Sequence, residues 1–178
     1  MRKTYKFRLY PNREQEQILE QTLDTCRYLY NDSPAERKFV YDKSGESISY
    51  YDQQNALPVK KKDNSFLSKV HSQVLQDVLH RVDKAFKNFF RRVKNNEKPG
   101  YPRFKSKNRY DSFTYPQSGF KLDGKLNLSK IGLIKIKKHR EIPDNANIKT
   151  CTIRKDVDQW YACFSVEFYI KEEKEIKN

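Results

Sequence analysis

Apolar and polar positions alternate from Thr4 to Tyr10, with Tyr5, Phe7 and Leu9 on one face and Lys6, Arg8 and Tyr10 on the other. A period of two predicts a half-buried strand, and Pro11 ends it. Asn12 is then placed as an N-cap with Gln15 three residues on, and Ile18, Leu19, Leu23, Cys26 and Tyr30 recur at helical spacing, so a helix is expected from about Arg13 to Tyr30. Ser33-Pro34-Ala35-Glu36 reads as a second start, with Pro34 restarting or kinking the helix. Residues Tyr41 to Ser65 are polar, contain Gly45 and Pro58, and read as a loop with one short helix around Tyr51 to Leu57.

The clearest helix runs from Phe66 to Lys94. Leu75, Val78, Leu79, Val82, Ala85, Phe86, Phe89, Phe90 and Val93 fall on one broad arc, with Lys84, Lys87, Arg91 and Lys94 opposite. After Pro99-Gly100 the period returns to two. Short strands are expected at Ser112 to Tyr115, at Phe120 to Leu122 and Leu126 to Leu128 around an Asp123-Gly124 hairpin, and from Leu133 to Lys137. A final hairpin pairs Ile148 to Lys155 with Trp160 to Phe168 and puts Trp160, Ala162, Phe164, Val166 and Phe168 on one face. Lys171 to Asn178 reads as a polar tail or linker.

The order is one strand, a block of helices, then five or six strands. A lone N-terminal strand has unpaired edges, and its available partners lie a hundred residues later. The expected class is therefore α+β, a small antiparallel barrel with helices inserted after its first strand. No internal repeat is visible.

Composition changes this picture in one respect. Charged residues make up 34% of the 178, yet 12 Tyr, 11 Phe and 1 Trp supply the burial that disorder would lack. The net charge of +14 attracts polyanions, and nucleic acid is the first partner expected. The charge is concentrated: Arg81 to Arg109 holds 11 basic and 2 acidic residues, and Lys121 to Arg140 holds 7 and 1. No membrane span or signal peptide is expected, so the chain reads as cytoplasmic. Cys26, Cys151 and Cys163 are odd in number and form no CxxC pair, which argues for buried hydrophobes over disulfides or zinc.

The most specific string is Lys98 to Lys107, where Tyr101 and Phe104 interleave with Lys98, Arg103, Lys105 and Lys107 on a backbone stiffened by Pro99 and Pro102. The prolines lower the ordering cost, cations meet phosphates, and rings stack on bases. With its neighbours this string carries a family resemblance. "YKFRLYPNREQEQIL", "YND", "ERK", "HSQVLQDVLHRVDKAFKNFFRRVK", "GYPRFKSKNRYDSFTY", "LNLSKIGLIKIKKHREIP" and "WYACFSVEF" occur in family order across nearly the whole chain. The chain resembles the N-terminal half of the TnpB (OrfB) proteins of bacterial insertion sequences, compact RNA-guided DNA endonucleases related to type V CRISPR effectors.

The resemblance implies a wedge domain with an oligonucleotide-binding-like barrel built from 1–12 and 97–170, a recognition lobe inserted over 13–96, and a tail over 171–178. Its implied partners are guide RNA and target DNA, with the family's RuvC-like half as a further one, in a bacterial, nucleoid-associated setting. Tyr50, Gln54, Ser72, Gln73, Gln76, Thr114 and Tyr115 would read a short motif beside the target, since Gln and Ser side chains both donate to and accept from base edges. Lys84, Lys87, Arg91, Arg92, Arg103, Lys105 and Lys107 would contact phosphates. Pro34 departs from the family, standing where an apolar helical residue is usual. The family's nuclease needs three carboxylates around divalent metals; the Glu172, Glu173 and Glu175 of the tail are not expected to supply them, nor do His71, His80 and His139 show ligand spacing. The reading is binding without cleavage and without a cofactor. The alternatives are a guide-independent DNA-binding regulator or transposase fragment, and a remnant that cannot fold without its other half.

Overall fold

The computed structural model describes residues 1–169; the expected tail, with Glu172, Glu173 and Glu175, lies outside the described residues. Strand β1 (Arg2–Tyr10) keeps the alternation read from the sequence, burying Tyr5, Phe7 and Leu9. Helix α1 (Arg13–Ser44) follows, opened by a capping box in which Asn12 and Gln15 satisfy each other's backbone N–H, and closed by Gly45 in the left-handed region.

Three expectations about the helices are corrected. The first helix does not restart at Pro34: α1 is a single run of 32 residues with Pro34 inside it. An interior proline costs about 3 kcal/mol or more, and burial of Leu29, Tyr30, Ser33 and Pro34 together offsets that cost. The expected loop over Tyr41 to Ser65 mostly folds as α2 (Tyr50–Asp63), started by a Ser49/Asp52 capping box and running through Pro58. The long helix does not begin at Phe66. Residues Ser65–Lys69 make a short 3-10 turn, Val70 is extended, and α3 (Ser72–Lys94) starts after His71, whose Nδ1 accepts from the Gln73 N–H at 3.2 Å. Burial pushes the His71 pKa down, with Lys130 and Lys61 adding to the effect, which favours the neutral ring this cap requires.

The remaining strands are β2 (Ser112–Tyr115), β3 (Phe120–Asp123), β4 (Lys125–Leu128), β5 (Gly132–Lys137), β6 (Ala146–Asp156) and β7 (Gln159–Phe168). They form one antiparallel sheet in the order β2-β6-β7-β1-β5-β4-β3. The first strand thus sits at the centre, between β7 and β5, so both of its edges are paired. The sheet curls into a nearly closed barrel, with the end strands meeting through Tyr115 and Phe120, ring centroids 6.4 Å apart. Gly119 makes this closure possible: its φ is +91°, and a Cβ there would lie 2.8 Å from Tyr115 and 3.0 Å from His71.

Phe7, Leu9, Leu126, Ile134, Ile153, Trp160, Ala162, Phe164 and Val166 fill the barrel, and the same core cluster continues into Leu19, Cys26, Leu29, Leu75 and Leu79 of the helices. Each large side chain fully buried contributes about 1.5–3 kcal/mol. Cys26 and Cys151 are buried and Cys163 half-buried, all three free; burial pushes the Cys26 thiol up to about 12. The expected apolar arc of α3 outruns this core. Val74, Leu75, Val78, Leu79, Val82 and Phe86 are buried, but Phe90 is 61% exposed and Val93 is exposed with it.

Candidate nucleic-acid interface

Strand register brings cations from distant parts of the chain together on the outer wall of the barrel. Because Tyr5, Phe7 and Leu9 point inward, Lys6, Arg8 and Tyr10 point outward. Arg8 pairs with Lys137 of β5 on one side and with Tyr161 of β7 on the other; Tyr161 in turn pairs with Arg154 of β6, and Arg154 with Ser112 of β2. One row, Ser112-Arg154-Tyr161-Arg8-Lys137, therefore crosses five strands. Tyr10 opposite Lys135 continues the surface. The rings are held by cations: Lys6 lies 4.2 Å from the Tyr161 centroid, and Arg8 lies 5.0 Å from that of Tyr10 and 5.8 Å from that of Tyr161. Arg154 is paired with Asp111 at 3.5 Å, whereas Lys6, Arg8, Lys135 and Lys137 have no ion-pair partner among the described residues. Cations beside aromatic faces on an open sheet can grip phosphates and stack bases. Sequence reading missed this row because its members become neighbours only through register.

The expected phosphate-contacting residues divide. Lys84, Arg91, Arg92, Arg103 and Lys107 are exposed. Lys87 is exposed but bonded to Asp83 at 2.8 Å, which raises its pKa. Lys105 stands apart. Its Nζ lies 4.8 Å from the Tyr30 centroid and 5.9 Å from that of Tyr110, and its backbone exchanges two hydrogen bonds with the Asn31 side chain. The Asn31 hydrogen bonds fasten the loop to α1, and burial, reinforced by nearby Arg81, pushes the pKa of half-buried Lys105 down.

The expected motif readers divide similarly. Helices α2 and α3 run antiparallel: the Tyr50 ring meets His80 at 5.7 Å, and Lys61 donates to Ser72 Oγ at 2.8 Å. Gln54 and Gln76, each one turn in sequence from Tyr50 and His80, are half-buried. Gln73 accepts from the Ser118 N–H at 3.0 Å, tying the start of α3 to the barrel. Thr114 accepts from Arg81 Nη2 at 2.9 Å and shares a 2.8 Å hydrogen bond with Thr152. Tyr115 is 1% exposed and donates to the Ser129 carbonyl at 2.9 Å. Its position in the core removes it from any reading surface. Tyr50 thus stands at the start of α2 beside His80, Ser72 and Gln73 at the start of α3 beside the end of α2 and the barrel, and Tyr115 in the core.

Between the helices, charge is spent internally. Buried Gln53 donates to the Ser33 carbonyl at 2.9 Å and to Glu36 at 3.0 Å, and accepts from Arg37 at 2.9 Å. Lys60 is bonded to both Asp32 and Glu36; burial opposes its charge, but the two hydrogen bonds outweigh burial and its pKa is raised. Among the described residues no three His, Cys, Asp or Glu side chains gather as a metal site, and no helix is long and apolar enough to cross a membrane.

Residues 1–46 match the family model of the OrfB proteins of IS605-type insertion sequences, described as a helix-turn-helix domain. A protein of Escherichia coli (strain K12) named as a candidate RNA-guided DNA endonuclease, InsQ, is 29% identical over 168 residues, covering 92% of this chain and 40% of that protein. A second candidate RNA-guided DNA endonuclease, from Streptomyces pristinaespiralis, is 31% identical over 173 residues, 94% of this chain and 42% of the relative. The chain is homologous to the TnpB/OrfB proteins. It spans about two-fifths of the length of these curated relatives. In this TnpB/OrfB homologue the residues matched by the helix-turn-helix model fold as β1 and one uninterrupted α1, with the next helix beginning only at Tyr50.

Proposed function

We propose that this chain is the nucleic-acid-gripping part of a transposon-encoded, TnpB-like protein, holding guide RNA and target DNA. In this reading residues 13–96 form the recognition lobe and the barrel forms the wedge. The outward row Arg154-Tyr161-Arg8-Lys137, with Lys6, Tyr10 and Lys135 beside it, carries the reading. The similarity to named RNA-guided DNA endonucleases supports the choice of RNA and DNA as partners. Sequence specificity comes from base pairing, while the protein recognises backbone shape and a short adjacent motif at the α2–α3 seam. The chain binds without cutting, needs no cofactor to do so, and works at the nucleoid together with a nuclease half.

The test is binding of labelled RNA and DNA to the purified chain across a salt series. With roughly 6–10 phosphate contacts, affinity falls by about 10³–10⁵ between 50 and 200 mM salt. A flat profile overturns the reading, and a specific shift of bare duplex by RNA-free protein replaces it with a guide-independent regulator. Magnesium-dependent cleavage by this chain would overturn the assignment of binding alone.

A further inference from the structure

The last two turns of α3 carry an apolar stripe beyond the core. Phe86 is buried, but Phe90, one turn on, is 61% exposed, and Val93 continues the stripe. Tyr101, 44% exposed, folds back from the Pro99-Gly100 loop and sets its ring edge-on to Phe86 and Phe89, both at 5.5 Å. Phe90 lies 6.4 Å from Phe86 with planes 30° apart, and 5.2 Å from Phe89. These rings form one wall of an open cleft of about 560 Å³ whose other wall is the end of α1, with Tyr41 and the Lys38–Asp42 pair.

Two observations define what this cleft takes. The first is shape: the ring of Phe90 is fixed by its neighbours yet its outer face is open, as a stacking platform requires. The second is charge. Lys98 and Arg103 flank Tyr101, which lines the cleft, and both are exposed without an ion pair among the described residues. The one carboxylate lining the cleft, Asp42, is bonded to Lys38 at 2.5 Å. Two unpaired cations beside a lining ring favour a strand with planar bases and one negative charge per nucleotide over an apolar partner protein.

We infer that the cleft between the ends of α1 and α3 is a stacking site for an unpaired nucleobase, with Phe90 as the platform and the loop cations Lys98 and Arg103 holding the flanking phosphates. The inference rests on the nucleic-acid-binding reading above and adds a single-stranded segment to it. The site lies on the helices, away from the barrel row. It would hold a base at the end of a duplex or in a guide loop.

The experiment uses the full chain and a short single-stranded oligonucleotide carrying one 2-aminopurine, followed by fluorescence and anisotropy together. The base fluorescence is expected to be quenched on binding. Phe90→Ala should abolish the quench and weaken binding by roughly 5- to 100-fold. Phe90→Leu, which keeps apolar bulk without a ring, should behave like Phe90→Ala, and Phe90→Trp should restore the quench. Because Phe90 is exposed, these variants keep the fold, which circular dichroism checks. Binding with undiminished quench in Phe90→Ala overturns the stacking site while leaving the general reading intact. Full binding by Phe90→Leu, or concentration-dependent self-association abolished by Phe90→Ala, would instead mark an apolar protein-docking face. Absence of oligonucleotide binding by the unmodified chain would overturn both readings.

Discussion

The barrel wall and the helical block carry the same kinds of cation and use them in opposite ways. On the wall, Lys6, Arg8, Lys135 and Lys137 alternate one by one with core residues, so each buried neighbour fixes a charge on the outside. Among the helices, Arg37, Lys60, Arg81 and Lys87 are bonded to Asp83, Asp32, Glu36 and Asp77, and hold α1, α2, α3 and β2 together. A count of basic residues does not distinguish these cases. What separates an interface from a set of internal braces is whether acidic partners share the face.

The largest effect expected from this contrast is on stability. Gln53→Leu removes a buried amide that serves the Ser33 carbonyl, Glu36 and Arg37 at once, and leaving such groups unpaired costs about 1–3 kcal/mol. A urea titration reads this as a lower midpoint at unchanged slope; an unaltered midpoint would show that the helical network is dispensable. Next in size is the double variant Arg8→Ala with Lys137→Ala. Removing one cation from a phosphate lowers the salt dependence by about one unit of slope, so the double variant should fall by about two and keep its fold. Smallest is Arg27→Met, which breaks a pair with Asp24 on α1. It should move stability by less than about 1 kcal/mol and leave the salt slope as it was; a large drop in binding there would erase the distinction between braced and free cations.

Much of the barrel was legible because its signals are local. Alternation in Thr4 to Tyr10 and in Trp160 to Phe168, and Asp123-Gly124 between two short apolar runs, each locate a strand, and the isolation of the first strand demands a distant partner. The first helix was legible in its start but not in its extent. The capping box at Asn12 is real, but Ser33, read as a second start, lies inside α1 with buried Pro34, and the Ser49 capping box that starts α2 was not read from the sequence. The candidate interface was least legible. Lys105 reads as a phosphate ligand in a basic string, and only the approach of Tyr30 and Asn31, over 70 residues earlier in the chain, half-buries it. Thr114 and Tyr115 read as a polar strand end, and the partners that occupy them, Arg81 and Ser129, come from other elements. The outward row has the same origin in reverse: Arg8, Lys137 and Tyr161 belong to three unremarkable segments until register aligns them.

Lysine acetylation footprinting of the chain, with and without a saturating RNA oligonucleotide at low salt, tests the barrel wall most directly. Lys6, Lys135 and Lys137 should be protected when RNA is present, while Lys60, already paired with Asp32 and Glu36, should react at the same rate in both samples. Equal modification of Lys6, Lys135 and Lys137 in the two samples, with RNA demonstrably bound, would contradict the assignment of the barrel wall as the gripping surface.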